Sequence, residues 1–290
     1  MKLELAQRKR AKIKMCLQGP SGSGKTFSSL LVGFGLCNDW TRIAVIDTEN
    51  RSAELYAHLG AYNVVNLTPP FSPEKYAEAI QVCEGSGMEV IIIDSLSLEW
   101  EYLLDYHANL PGNSFAAWAR VTPRHNILVK AILQSPCNVI STIRTKQDYV
   151  LVEKNNKQVP ERVGLKGIQR DGIEYEHTVV FDLDIKNNAT ASKDRTGLFF
   201  GKPEQKLNIS TGTLIAEWCN SGVIVGVDDV SKRICDTTSI RELLDLYHEF
   251  PQFKEVLKQA YEKQKRRLLT NDDLTKQFTH LQNLPTNGVQ

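Results

Sequence analysis

A chain of 290 residues, 41% hydrophobic and 24% charged, has the composition of an ordinary soluble globular protein, long enough for one large α/β domain and an appendage. Its formal net charge of +1 provides no global field to drive it onto nucleic acid, so any polyanion contact must come from a local patch. The six cysteines (Cys16, Cys37, Cys83, Cys137, Cys219, Cys235) form no C-x-x-C pair and read as reduced core thiols rather than a metal or disulfide framework. No signal peptide opens the chain and no apolar run reaches membrane-spanning length, so a cytoplasmic location and no membrane partner are expected.

Residues 1–11 form a basic extension. Ile13–Leu17 predicts a first strand. Behind it Gly19, Pro20, Ser21, Gly22, Ser23, Gly24, Lys25 and Thr26 spell G-x-x-x-x-G-K-T, and Phe27–Leu36 reads as the opening of a helix. Polyphosphate binding requires that order. The glycines let backbone N–H groups close around the anion while the helix points its positive end at it. Lys25 supplies a point charge for the β- and γ-phosphates, and the Thr26 hydroxyl ligates Mg²⁺. ATP and Mg²⁺ are the expected ligands.

Ile43–Asp47, Asn63–Leu67, Val90–Asp94 and Asn138–Ile143 follow as strands. Helical patterns separate them at Ala53–Leu59, Pro73–Cys83, Leu96–Asn109 and Pro123–Gln134, the last with Thr122 as N-cap and Pro123 at its first position. Apolar strands crossed by helices imply a doubly wound, mostly parallel sheet. Asp94 ends the fourth strand, where it would orient a Mg²⁺-bound water at the carboxyl edge of the sheet. The second strand ends in Asp47-Thr48-Glu49, placing Glu49 to hold or deprotonate an attacking water, although a nucleoside kinase would also place an acid here. Further on, Tyr149–Val152 and an Asn155-Asn156 turn suggest a hairpin, Thr178–Ile185 a strand and Thr213–Cys219 a helix. Beyond a core at 12–225, the C-terminal region 226–290 carries two amphipathic helices, Ser239–Phe250 and Gln252–Leu269, then a polar tail. Their apolar stripe runs through Leu243, Leu244, Leu246, Tyr247, Phe253, Val256, Leu257 and Tyr261.

The run from Ala44 to Ala57 resembles the segment of RecA-type recombinases that carries their catalytic glutamate, with an aromatic seven residues later that packs on adenine. The resemblance implies that Glu49 activates water and Tyr56 stacks on the base, while the adenine-contacting acid is replaced by Ala53. Val139–Arg144 is similar to the family's next strand, which makes Thr142 the γ-phosphate sensor at the head of a DNA-contacting loop. Ser192-Lys193-Asp194-Arg195-Thr196-Gly197 resembles the K-N-R-F-G motif of bacterial RadA and the paired lysines RecA inserts into its neighbour's site. It makes Lys193 and Arg195 candidate trans-acting fingers on a segment after the last sheet strand. The texture of residues 12–225 is closest to phage-encoded RecA-like ATPases associated with single-strand annealing. The resemblance thus implies a RecA-like P-loop NTPase fold with a small C-terminal helical appendage, and a homo-oligomer, filament or ring, with ATP at subunit interfaces. It further implies single-stranded DNA as partner, together with a phage single-strand-binding protein, in a bacterial host cytoplasm.

The stretch between the sensor strand and Thr178 carries Arg144, Lys146, Lys154, Lys157, Arg162, Lys166 and Arg170 against few acids. With Gly164, Gly167 and Tyr149 it suits a groove that tracks a phosphate backbone. A second aromatic and basic stretch lies at Asn109–Arg124. Two other functions remain open on sequence: an ATP-dependent loader, motor or helicase-like partner in DNA metabolism, and a small-molecule P-loop kinase.

Overall fold

The computed structural model describes residues 10–154, 157–221 and 226–269. They belong to two compact units, Arg10–Gly222 and a smaller one that begins at Val223. In the larger unit the apolar runs become β1 (Lys14–Gly19), β2 (Ile43–Asp47), β3 (Asn63–Asn66), β4 (Val90–Asp94), β5 (Asn138–Lys154), β6 (Lys157–Gly167), β7 (Val179–Leu183) and β8 (Ala189–Asp194). Their order in one mixed sheet is β3-β2-β4-β5-β1-β7-β8, with β6 on the outer length of β5. Every pairing except β5–β6 and β7–β8 is parallel. All five residues of both β2 and β4 are buried, which is why these strands read as unbroken apolar runs and need helices on both faces.

On one face α1 (Lys25–Cys37) and α6 (Ile209–Asn220) pack on Met15, Leu17, Val45 and Ile92 through Leu30 and Ile215. They meet at Gly35 and Gly212, where a Cβ on Gly35 would lie 2.1 Å from the Ile209 carbonyl oxygen. On the other face Tyr76 and Ile80 of α2 (Pro73–Gly85) and Leu128 of α4 (Ser114–Gln134) cover Cys16, Ile46 and Ile93. In chain order α3 (Ser97–Ala108) comes between them, and it packs against α4. The expected α/β P-loop NTPase architecture is the one observed.

Several elements differ from expectation. The helix expected to open at Pro123 instead begins at Ser114, capped by the Asn113 side chain, and runs through the proline. Pro123 lies on the exposed face, where water can serve the carbonyl it leaves without a helical donor. Ala117, Val121, His125, Leu128 and Ile132 are buried on one continuous stripe across it. The hairpin expected around Tyr149–Val152 is longer, its strands pairing from Thr145 opposite Gly167 to Lys154 opposite Lys157, with Asn155 and Asn156 outside the described residues. Lys193 does not follow the last strand but lies in it, since β8 pairs with β7 as an antiparallel edge. Ala53–Leu59 is part of a 3₁₀ helix, Ser52–Leu59.

In the smaller unit α7 (Val227–Asp236), which the sequence reading missed, packs with α8 (Ile240–Glu249) and a helix over 258–269. Their shared core includes Val230, Ile234, Leu243, Leu246, Leu257 and Tyr261. Leu244 and Val256, expected on the buried stripe, are exposed. Among the described residues no helix is long and apolar enough to cross a membrane.

A short helix α5 (Ile173–Glu176) leads into β7 through His177, which is buried with Nδ1 donating to the Ile173 carbonyl at 3.1 Å and Nε2 unpartnered. Burial pushes its pKa down to about 4. The unfolded chain therefore binds the extra proton first, and stability that is complete above pH 6.5 is lost as pH falls towards 4. By pH 5 this one group costs about 2 kcal/mol. Urea unfolding at pH 7.5 and pH 5 should show His177→Gln losing less stability than wild type by that amount; equal losses would mean His177 does not titrate this way.

Candidate active site

At the carboxyl end of β1 the chain turns through Gly22 (φ 78) and Gly24 (φ 77), in the left-handed region that glycine enters without steric cost, and α1 begins at Lys25. The Lys25 ammonium donates to the carbonyls of Gly19 and Pro20, each at 2.9 Å. Burial holds its pKa below the ordinary lysine value, against the opposing pull of the Asp94 and Glu49 charges. The loop thus keeps a mostly buried cation folded over its own mouth.

Because β5 lies between β1 and β4, with Leu17 beside Thr142 and Ile93 beside Ser141, the ends of three strands converge on Asp94. The Thr26 hydroxyl donates to Asp94 Oδ2 at 2.6 Å and the Thr142 hydroxyl to Oδ1 at 2.5 Å. Burial raises the Asp94 carboxyl above its usual range, and those two hydroxyl donors pull it back. One hydroxyl and one carboxylate, all oxygen, form a donor set that suits Mg²⁺, which retains waters and takes further ligands from substrate phosphates. No three His, Cys, Asp or Glu side chains gather as a metal cage among the described residues. The group therefore fits Thr26 and Asp94. Thr142 departs from its expected sensor role: it is fully buried, and its short side chain is occupied in orienting Asp94.

Glu49 sits on a turn built by its neighbours. Asp47, 1% exposed, accepts from Glu49 N at 2.6 Å and from Ala53 N at 2.7 Å. The Thr48 hydroxyl ties β2 to β4, donating to the Asp94 carbonyl at 3.1 Å and accepting from Ser95 N at 2.9 Å. These bonds hold Asn50 (φ 54) and Arg51 (φ 65) in the left-handed region, at a cost of about 1–3 kcal/mol each. The Glu49 carboxylate itself is bound by Arg144, Nε to Oε1 at 2.8 Å. This corrects the placement of Arg144 among DNA-contacting cations: it lies two residues past Thr142 on the same face of β5 and is committed to Glu49, whose bond raises the guanidinium pKa. Neither Asp47's anchoring role nor this ion pair leaves a signature in sequence spacing.

Tyr56 lies beside Phe27 of α1, ring centroids 5.9 Å apart, so an aromatic pair flanks the start of the helix. Lys193 and Arg195 do not join the site in their own chain. Arg195 N donates to the Thr178 carbonyl, and Thr178 lies five residues before Leu183, where β7 reaches the level of the phosphate loop. Five residues of strand span roughly 16 Å. Lys193 Nζ donates to the Glu174 and Tyr175 carbonyls, both at 2.7 Å, and Arg195 donates to Tyr175 O at 3.2 Å.

Along the hairpin the register sets Lys146 opposite Lys166 and Lys154 opposite Lys157, with Arg162 opposite Tyr149. Lys166 also pairs with Asp171 at 2.9 Å. The side chains of Lys154, Lys157 and Arg162 lie outside the described residues. Arg170 sits just past the hairpin, its backbone N–H on Gln169 Oε1 at 2.7 Å. In the second aromatic stretch Arg124 is held by Glu74 through two bonds of 2.8 Å, and Trp118 stacks between Trp100 and His107, while Phe115 is 88% exposed.

A glycine-rich loop opening a helix, an acidic strand end beside it and a crossed parallel sheet define a P-loop NTPase. A family model described as an AAA domain matches residues 11–216, and the chain belongs to that family. The larger unit is an AAA-type P-loop ATPase domain. No curated protein sequence matches the chain.

Proposed function

We propose that this protein is a RecA-like ATPase that assembles on single-stranded DNA and promotes annealing or strand exchange, of the kind encoded by phages. The observation that carries the reading is the Glu49–Arg144 ion pair, because it ties the acid beside the phosphate loop to the root of a basic hairpin. Lys146 and Lys166 stand opposite each other in the register of that hairpin, which sets two cations on one face near its root, an arrangement suited to a phosphate backbone.

In this mechanism the loop amides and Lys25 bind the β- and γ-phosphates, exchanging the carbonyls of Gly19 and Pro20 for phosphate oxygens. Thr26 and Asp94, the latter oriented by Thr142, would hold Mg²⁺, which would neutralise phosphate charge during transfer. Glu49 accepts the proton of the attacking water once Arg144 releases it. Tyr56 stacks on the base. Lys193 and Arg195, too far along the sheet to serve their own loop, reach the nucleotide of a neighbouring subunit.

The experiment is single-stranded DNA binding across a salt series. Neutralising Lys146, Lys154 and Lys157 together should weaken binding and flatten the log–log salt slope by about 0.7 for each DNA phosphate that is no longer neutralised. ATP binding should be spared. Unchanged DNA affinity would remove the hairpin as the DNA site. No DNA affinity in the wild-type chain would favour a loader or motor that acts through a partner.

A further inference from the structure

The end of β7 and the turn after it press on the phosphate loop, and nothing in the G-x-x-x-x-G-K-T motif calls for them. A Cβ on Gly19 would lie 2.7 Å from the Leu183 carbonyl oxygen, and one on Gly24 would lie 2.7 Å from Asn187 Nδ2. The Asn187 side-chain amide donates to the Gly22 carbonyl at 3.2 Å. Asn187 is itself in the left-handed region, φ 64, inside a turn fixed by Asp184. The Asp184 carboxylate accepts from Lys186 N and Asn188 N, both at 2.8 Å, and from Asn188 Nδ2 at 3.2 Å. Asn187 N donates to the Asp184 carbonyl at 3.1 Å. The turn is therefore rigid without help from the loop it touches.

Pinning the Gly22 carbonyl has a consequence for its peptide partner. In a planar trans peptide, C=O and N–H point in opposite directions. With the carbonyl drawn outward to Asn187, the Ser23 N–H is turned into the loop, where it meets the Pro20 carbonyl at 3.3 Å. Gly22, free of a Cβ, opposes rotation of this peptide only weakly. A rotated peptide would offer its oxygen, not its hydrogen, to a polyphosphate. We propose that Asn187 is a positioning residue of the nucleotide site, which holds the Gly22–Ser23 peptide with its N–H facing the bound phosphates.

This inference rests on the reading of the loop as a nucleotide site, and the test separates the two. Asn187→Gly keeps the positive φ and removes the donor; Asn187→Asp keeps a residue that tolerates this φ but sets a carboxylate against the Gly22 carbonyl and near the phosphates. ATPγS affinity and the KM and kcat for ATP are measured for both, with the melting temperature of nucleotide-free protein. Asn187→Gly should raise Kd and KM about three- to ten-fold, the reach of one hydrogen bond. Asn187→Asp should raise them roughly ten-fold further through charge repulsion. For Asn187→Gly, kcat should stay within about two-fold, because binding and not the chemical step is affected, and the melting temperature should not move. A residue that served only the turn would leave Kd and KM untouched, and that result, obtained while wild type binds ATP and Lys25→Ala does not, overturns the inference alone. A wild-type chain that failed to bind ATP would overturn the nucleotide reading and this inference with it.

Discussion

Replacing Glu49 by Gln is expected to slow ATP hydrolysis by about two to four powers of ten while ATP affinity stays within a few-fold, because an amide of the same shape cannot accept the water's proton. The Asp47 bonds to the Glu49 and Ala53 amides are untouched, so the turn keeps its form. The neighbouring substitution should act in the opposite direction. Arg144 holds Glu49 through a half-exposed pair, with side chains 38% and 28% accessible. Such a pair is worth at most about 1 kcal/mol. Arg144→Ala should therefore raise DNA-independent turnover about five-fold at most and abolish further stimulation by DNA. Single-turnover hydrolysis with and without single-stranded DNA reads both. Unchanged hydrolysis in Glu49→Gln would make the residue a surface acid. A slower Arg144→Ala enzyme would mean that the guanidinium serves the reaction directly instead of restraining the carboxylate.

The parts of this site legible in the sequence are those where one residue type is forced by its immediate surroundings. The phosphate loop needs glycine at positive φ and a lysine at the helix start, and both can be read from spacing. Strands β2 and β4 are buried on both faces, so their bounds, Ile43–Asp47 and Val90–Asp94, follow from unbroken apolar runs ended by an aspartate. Strand β8 escaped because an edge strand needs no such run: among Ala-Thr-Ala-Ser-Lys-Asp only its first residue is buried. Pro123 misled for a local reason, since proline at a helix start and proline on the wet face of a longer helix look alike until the buried stripe from Ala117 to Ile132 is followed through it. Thr142 and Arg144 share a face of β5, and a motif cannot say which of two adjacent polar positions reaches the nucleotide. Burial and partners tell the two apart: Thr142 is enclosed with Asp94, and Arg144 stands at the rim with Glu49. Asn187 is the extreme case, 165 residues from the carbonyl it holds.

In the proposed mechanism, the Arg195 finger is the step that most needs a second subunit. Arg195 is exposed, and its own strand places it at the far end of β7 from its own phosphate loop, bonded to Thr178 and Tyr175. If its charge acts on a γ-phosphate at all, that phosphate belongs to a neighbour. A finger that stabilises charge on the transferred phosphoryl group is worth about three to five powers of ten in rate. Arg195→Ala is therefore expected to bind ATP normally and hydrolyse it slower by that factor. Glu49→Gln fails for the complementary reason, since its own carboxylate is lost while the arginine it lends is intact. When the two variants are mixed, an interface that sets the intact Glu49 of one against the intact Arg195 of the other regains both groups. Turnover in the mixture should rise well above either variant alone and peak near equal proportions. Mixed assemblies that form, as seen by exchange of labelled subunits, yet show no rescue at any ratio would end the trans-acting reading and leave Arg195 as the residue that closes α5 through the Tyr175 carbonyl.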